Sequence, residues 1–377
     1  MLSNKIKQLI PHIIPKSRMN YSDLLDNDGN PDKYYVSFTQ PKRIIQKPIQ
    51  LKAKPTPDYL KKDGYVECDE ITCIQDLISL AEKYPLCDEI VYKNVNMEAL
   101  HRIVPYLKKL DKMIGLKSLK QSLSDQIVYY IQPLEKINDY KHTVLYGPPG
   151  TGKTEVAELI GHIFANIGIF GENTGKFRKV NRSDLVAGYL GQTAMKTTDV
   201  IKSCLNGVLF IDEAYSLGNV DKKDTYSKEC IDTLCEALSA HKDKLMVIIA
   251  GYESELNDCF FGYNPGLKSR FAWKFTIEGY SAEDLYNIFM LKWNLSQIPF
   301  THSPDVMIQW FSKRHKHFES FGRDIDTFVS KIKIAYSRRT FCKKGEGLTM
   351  TDIEKGYEAI VPLPITNNQK CEYHMYS

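Results

Sequence analysis

No apolar run in this 377-residue chain approaches the roughly 18 residues that a membrane-crossing helix needs. Functions that require a helical membrane span are therefore not expected. No CxxC pair occurs either. The nine cysteines, at 68, 73, 87, 204, 230, 235, 259, 342 and 371, form no Cys/His cluster at zinc spacing. Reduced structural thiols are expected, and with them an intracellular, cytoplasmic location. Acidic residues are missing from the first 20 positions, which hold Lys5, Lys7, Lys16 and Arg18, so organelle import stays open. Pro11 and Pro15 nevertheless interrupt that stretch. A large net charge is missing as well, with 50 Lys or Arg against 46 Asp or Glu. Residues 1–63 carry twelve Lys or Arg against six Asp, a surplus of +6 against a chain total of +4, which leaves −2 for the rest. The main body thus lacks the basic surface of a nucleic-acid binder.

What is present divides by pattern. Residues 1–63 hold seven prolines and little periodicity, and residues 38–57 hold five basic side chains and no acid, the composition of a flexible leader. Between 64 and 110 two stretches, 74–84 and 97–110, have helical periodicity, the second interrupted at Pro105. They outline a small helical accessory region. From 111 to 278 short apolar runs alternate with amphipathic stretches. Strands are expected at 142–146, 207–212 and 245–250, the signature of an α/β domain with a parallel sheet. From 279 to 365 the strands stop, and 281–293, 303–315, 322–338 and 350–360 are expected as helices of a small lid. Residues 366–377 have the character of a disordered tail.

One strand runs straight into Gly147-Pro148-Pro149-Gly150-Thr151-Gly152-Lys153-Thr154 and then into a helical stretch. That is a complete GxxxxGKT loop in its required setting. Its glycines let backbone N–H groups wrap phosphates at a helix N-terminus. Lys153 is expected to reach the β and γ phosphates of ATP, and Thr154 to ligate Mg²⁺. Further along, the apolar run 208–211 ends in Asp212-Glu213. A buried strand would deliver both carboxylates to the phosphates, Asp212 toward Mg²⁺ and Glu213 toward the attacking water.

Six motifs in order carry a wider likeness: Met113-Ile114-Gly115-Leu116, the loop of residues 147–154, Gly188-Tyr189-Leu190-Gly191-Gln192-Thr193, Asp212-Glu213-Ala214-Tyr215-Ser216-Leu217, Ile249-Ala250-Gly251-Tyr252, and Asn264-Pro265-Gly266-Leu267-Lys268-Ser269-Arg270-Phe271. Across residues 111–360 the chain resembles the CbxX/CfxQ family of AAA+ ATPases, the family that includes the red-type Rubisco activases. The resemblance implies a P-loop AAA+ α/β domain followed by a helical lid, with an uncharacterised N-terminal extension. It places Ile114 and Gly115 at the adenine end of the pocket. It puts Tyr189 on a central-pore loop, sends Arg270 into the neighbouring subunit's site, and brings Arg323 to the γ phosphate from the lid. Lys268 stands where the family commonly has a second arginine. Tyr252 stands where many other AAA+ proteins carry an asparagine sensor.

The expectation is therefore a Mg²⁺-dependent ATPase that forms a homo-oligomeric ring, a hexamer by resemblance, and remodels or threads a protein partner. A nucleic-acid motor and a nucleotide-gated scaffold with little turnover stand as alternatives.

Overall fold

The chain divides into two units, Met1–Lys54 and Pro55–Ser377. The computed structural model describes residues 62–361 apart from 88, 135–138, 171–174, 190, 222, 301 and 343–346. The expected tail, nearly all of the expected leader and Leu190 of the Tyr189 loop lie outside the described residues.

A short parallel pair comes first, β1 (Lys62–Gly64) with β2 (Ile90–Tyr92), separated by α1 (Ile74–Lys83). Helices α2 (Met97–Asp111) and α3 (Lys117–Ile131) follow. Pro105 does not interrupt α2, contrary to expectation. A proline inside a helix costs about 3 kcal/mol. However, α2 fully buries Leu100, Ile103, Leu107 and Leu110, each worth roughly 1.5–3 kcal/mol, so tertiary packing outweighs the break. Asn96 caps the helix by accepting from the Ala99 N–H at 3.0 Å.

The main sheet is parallel, in the order β4-β5-β6-β3-β7. Its strands are β3 (Thr143–Tyr146), β4 (Phe177–Val180), β5 (Gly207–Ile211), β6 (Leu245–Gly251) and β7 (Trp273–Thr276). The three expected strands appear within one residue of their expected ends, and every residue of these strands is buried. Strands β4 and β7 were not expected. They form the two edges, with only one buried residue each, so neither offers a continuous apolar run to read. Between the strands run α4 (Lys153–Asn166), α5 (Arg182–Leu185), α6 (Thr193–Ser203), a 3₁₀ turn (Ala214–Leu217), α7 (Thr225–Ala240), α8 (Glu253–Leu256) and α9 (Pro265–Arg270).

Period-two alternation assigns each sheet face its own core. Leu145, Phe210 and Ile248 face one way, packed with Leu77 of α1, Ile103 of α2 and Ile160 of α4. Val144, Leu209 and Val247 face the other way, packed with Ile201 of α6 and Leu234 of α7. Helices α1 and α2 thus share a core with the sheet. A third core holds Phe289, Trp293, Phe311 and Phe328 and defines the lid, made of α10 (Ala282–Asn294), α11 (Pro304–Arg314), α12 (Gly322–Thr340) and α13 (Met350–Glu358). Within it Asp352, 1% exposed, accepts from Arg339 Nε and Nη2 at 2.8–3.0 Å. Among the described residues no helix is long and apolar enough to cross a membrane.

Candidate nucleotide site

All strands of the main sheet are parallel, so the carboxyl ends of β3, β5 and β6 meet on one edge, where open α/β sheets bind ligands. The loop after β3 turns through Gly150 and Gly152 at φ of 69° and 78°, backbone that glycine adopts without cost. Thr151 Oγ1 donates to the Pro148 carbonyl at 2.8 Å and fixes the turn. The Lys153 ammonium donates to the carbonyls of Gly147 and Pro148 at 2.8 and 2.7 Å. It also lies 4.4 Å from the centre of the Tyr252 ring. Burial pulls the Lys153 ammonium below its usual pKa, against the opposing pull of Asp212. A partly desolvated cation of this kind gains much from an anionic phosphate.

Thr154 Oγ1 donates to the Asp212 carboxylate at 3.0 Å, so the two residues expected to hold a metal ion are already in contact. Lys179 of β4 reaches the same carboxylate at 3.2 Å and Glu158 at 3.0 Å. Glu213 follows β5 at φ 50°. A non-glycine residue in that region marks local strain. It leaves the Glu213 side chain exposed to a cleft of about 780 Å³, within the range of ligand-sized pockets, roughly 300–1,000 Å³. Burial, together with the nearby Glu213 charge, pushes the Tyr215 phenol up to about 12.

The sequence profile of the ATPase family associated with various cellular activities (AAA) matches residues 143–275. A cfxQ-like protein of Acanthamoeba polyphaga mimivirus is 35% identical over 294 residues, 75% of this chain and 71% of that one. The chloroplastic ribulose bisphosphate carboxylase/oxygenase activase of Cyanidioschyzon merolae is 32% identical over 67% of this chain and 88% of its own. Stage V sporulation protein K of Bacillus subtilis is 37% identical over 51% of this chain and 61% of its own. The chain belongs to the CbxX/CfxQ family of AAA+ ATPases. It is a nucleotide-binding protein that hydrolyses ATP.

In this CbxX/CfxQ protein the residues singled out by resemblance fall into two groups. Ile114 and Arg323 line the same cleft as Lys153, Thr154, Asp212 and Glu213. Gly115, at φ 69°, lies beside it, where a Cβ would stand 3.1 Å from the Tyr280 ring. Tyr252 lines the cleft too, stacked on Tyr215 with ring centres 5.5 Å apart. Arg270 and Tyr189 do not line the cleft. Arg270, at the end of α9, donates from Nε to Ser239 Oγ at 2.6 Å and from Nη1 to the Gly266 carbonyl at 2.5 Å. Tyr189 is 74% exposed, and a Cβ added at Gly188 or Gly191 would meet nothing within 4 Å.

Sequence reasoning missed several wall residues. Lys109 of α2, Lys112 at its C-terminal end, and Ile288, Leu291 and Lys292 of α10 line the cleft. Tyr280 donates its hydroxyl to the Thr151 carbonyl at 3.0 Å, and the Gly322 N–H donates to the Gly150 carbonyl at 3.0 Å. Those two bonds hold the lid against the phosphate loop. Lys109 and Lys112 carry no motif, and only the fold brings them to the cleft.

Proposed function

We propose that this ATPase works as a homo-oligomeric ring that threads or remodels a protein partner. The observation that carries this reading is Tyr189, an aromatic ring left in solvent between two unencumbered glycines, where a soluble domain would normally bury it. Such a ring can grip an extended chain without reading its sequence. Arg270 supports a shared site. Ser239 and Gly266 engage part of its guanidinium fork outside its own subunit's cleft, which leaves further N–H groups for a neighbour's triphosphate.

Within each subunit, Lys153 and the backbone of residues 147–152 take the phosphates, Ile114 and Gly115 the adenine end, and Arg323 the γ phosphate. Glu213 orients and polarises the attacking water. Thr154 and Asp212 would hold Mg²⁺, which neutralises charge developing on the phosphates. Among the described residues no three Asp, Glu, His or Cys side chains gather into a metal cage. A cation here would complete its shell with water and phosphate oxygens, the usual coordination of Mg²⁺. The eight described cysteines are free thiols, and we place the protein in a reducing interior, cytoplasm or organelle.

Mixing two inactive variants tests the shared site. Glu213→Gln should lose the water-activating base, and Arg270→Ala should lose about 10³-fold in turnover, as arginine contacts to a transferring phosphoryl group do. A mixture should regain activity, because a site can then combine Glu213 from one chain with Arg270 from the other. A mixture as inactive as its components would sink the ring-shared site. Stimulation of turnover by unfolded casein, absent in Tyr189→Ala, tests the threading half.

A further inference from the structure

Phe177 and Lys179 stand on the same face of edge strand β4, the face that meets α4. The Phe177 ring lies on the helix, 4.5 Å from the centre of the His162 ring. A Cβ at Gly161 would stand 2.2 Å from the Phe177 ring, so only a bare backbone lets helix and strand come this close. Helix α4 connects the parallel strands β3 and β4 and therefore runs back against them. Two residues further along β4, Lys179 reaches Glu158, about one turn nearer the start of the helix.

Lys179 is held from three sides. Its ammonium lies 3.0 Å from Glu158 Oε1, 3.2 Å from Asp212 Oδ2 and 5.7 Å from the centre of the Phe210 ring. Phe210 is its register partner on β5. Asp212 comes two residues after Phe210, toward the same face. The Asp212 N–H donates to the Val180 carbonyl at 3.2 Å, so the backbone of β4 fixes the residue whose carboxylate the β4 lysine grips. Glu158 and Asp212 both line the cleft. One ammonium thus separates two carboxylates beside Thr154 and partly neutralises both.

Ion pairs between partly exposed side chains contribute little to folding, so stability does not account for this arrangement. Mg²⁺ is commonly bound by one or two carboxylates together with substrate phosphates. Without the lysine, Asp212 and Glu158 would be such a pair of carboxylates by themselves. We propose that Lys179 makes metal binding conditional on nucleotide. It engages Glu158 and offsets part of the Asp212 charge, so that the site draws a divalent cation only together with the charge and oxygens of a triphosphate. Lys179 is then a positioning residue that acts through Asp212 and touches no reacting atom. The proposal rests on the roles given above to Thr154 and Asp212.

The test uses the full chain freed of nucleotide and reads two quantities, the Kd of Mn²⁺ from the EPR signal of the free ion and the thermal midpoint of unfolding. Mn²⁺ takes the same carboxylate and water ligands as Mg²⁺. Lys179→Met keeps the length of the side chain and its packing on Phe210 but removes the charge. It should bind Mn²⁺ about tenfold or more tightly than wild type, with a thermal midpoint within a few degrees of wild type. Lys179→Gln, a second neutral replacement, should show the same gain. Lys179→Arg keeps the charge and should stay within about threefold of wild type. Adding Glu158→Gln to Lys179→Met should return most of the gain, because one of the two carboxylates is gone.

A tighter site is a result that lost packing does not produce. Unchanged or weaker Mn²⁺ affinity in both neutral variants would overturn the proposal. So would Lys179→Arg binding as tightly as Lys179→Met, since the charge would then be irrelevant, or a gain that survives Glu158→Gln. Asp212→Asn in the Lys179→Met background identifies a failure of the underlying reading instead. A gain that survives that change would mean that the metal does not rest on Asp212.

Discussion

At the phosphate end of the cleft, residues 147–154, Asp212 and Glu213 extend from strands whose every residue is buried. At the lid end, Ile114, Tyr280 and Arg323 come from three separate segments, two of them gathered around the lid's own aromatic core. One end inherits its geometry from a sheet. The other is set by the packing of one core against another, and the bonds joining lid to phosphate loop named above are two, from Tyr280 and Gly322. The groups proposed for the chemistry, which need fixed distances, sit on the first, and those proposed to admit and release a nucleotide sit on the second. The difference suggests how ATP binding can move one body against the other without disturbing the chemistry.

The two ends touch at Gly150, and the sharpest way to break the arrangement is to crowd that point. A Cβ there would stand 1.8 Å from the Ser320 carbonyl oxygen, and the backbone is at φ 69°. Gly150→Ala must therefore push the lid away and also strain the loop, at roughly 1–2 kcal/mol for the left-handed backbone alone. Titration with a fluorescent ATP analogue should show affinity falling about 100-fold, which is about 2.7 kcal/mol. Unchanged affinity would show that lid and loop separate freely and that their contact contributes nothing to binding.

The phosphate end was legible in the sequence because its residues are contiguous and their strand is a plain apolar run. Residues 147–154 and 208–213 each announce a turn, a buried strand and a charge in one glance. The lid end was not. Tyr280 and Leu291 look like ordinary core and surface residues until the fold brings them to the cleft, and Lys109 and Lys112 look like a solvated helix face. Edge strands β4 and β7 were hidden for a similar reason, since a strand open to solvent on part of its surface loses the continuous pattern. Pro105 misled in the opposite direction, because a local breaker says nothing about the four buried residues that hold its helix. Arg323 and Arg270 were found only through resemblance. The structure separates them, with one at this chain's own cleft and the other away from it.

Acid should separate the same two regions. His142, at the foot of β3, is fully buried. Its Nδ1 accepts from the Val247 N–H, and its Nε2 faces the Leu238 carbonyl, both at 3.1 Å. Burial first, opposed by the Leu238 carbonyl, pushes its pKa down from 6.5 to about 4. Between those values the unfolded chain binds a proton that the folded sheet refuses, so stability falls as pH drops through that window. At pH 5 the loss is about 2 kcal/mol, from 1.36 kcal/mol per unit. In the lid, Asp352 is buried, yet bonds from Arg339 and Thr349 outweigh that burial and hold its carboxyl below 3.8. Its contribution is present above 3.8 and is lost only in stronger acid. Hydrogen exchange resolved by segment should therefore show β3, β5 and β6 losing protection near pH 5 while α12 and α13 keep theirs. Equal loss in both would mean that the sheet and lid unfold as one cooperative body.

The smallest expected effect sharpens the comparison most finely. Tyr280→Phe removes one hydroxyl, the donor to the Thr151 carbonyl, and leaves the ring packed against Gly115 and Phe321. The phosphate loop keeps its own brace, Thr151 Oγ1 to Pro148, so its shape should survive. What weakens is the lid's attachment, by about 1 kcal/mol, the net value of one such bond. ATP affinity should drop about fivefold. Turnover at saturating ATP should hold, because Lys153, Asp212 and Glu213 have not moved. A fall in saturated turnover with affinity intact would reverse the assignment, making the lid contact part of the chemistry and the strand ends less self-sufficient than their burial implies.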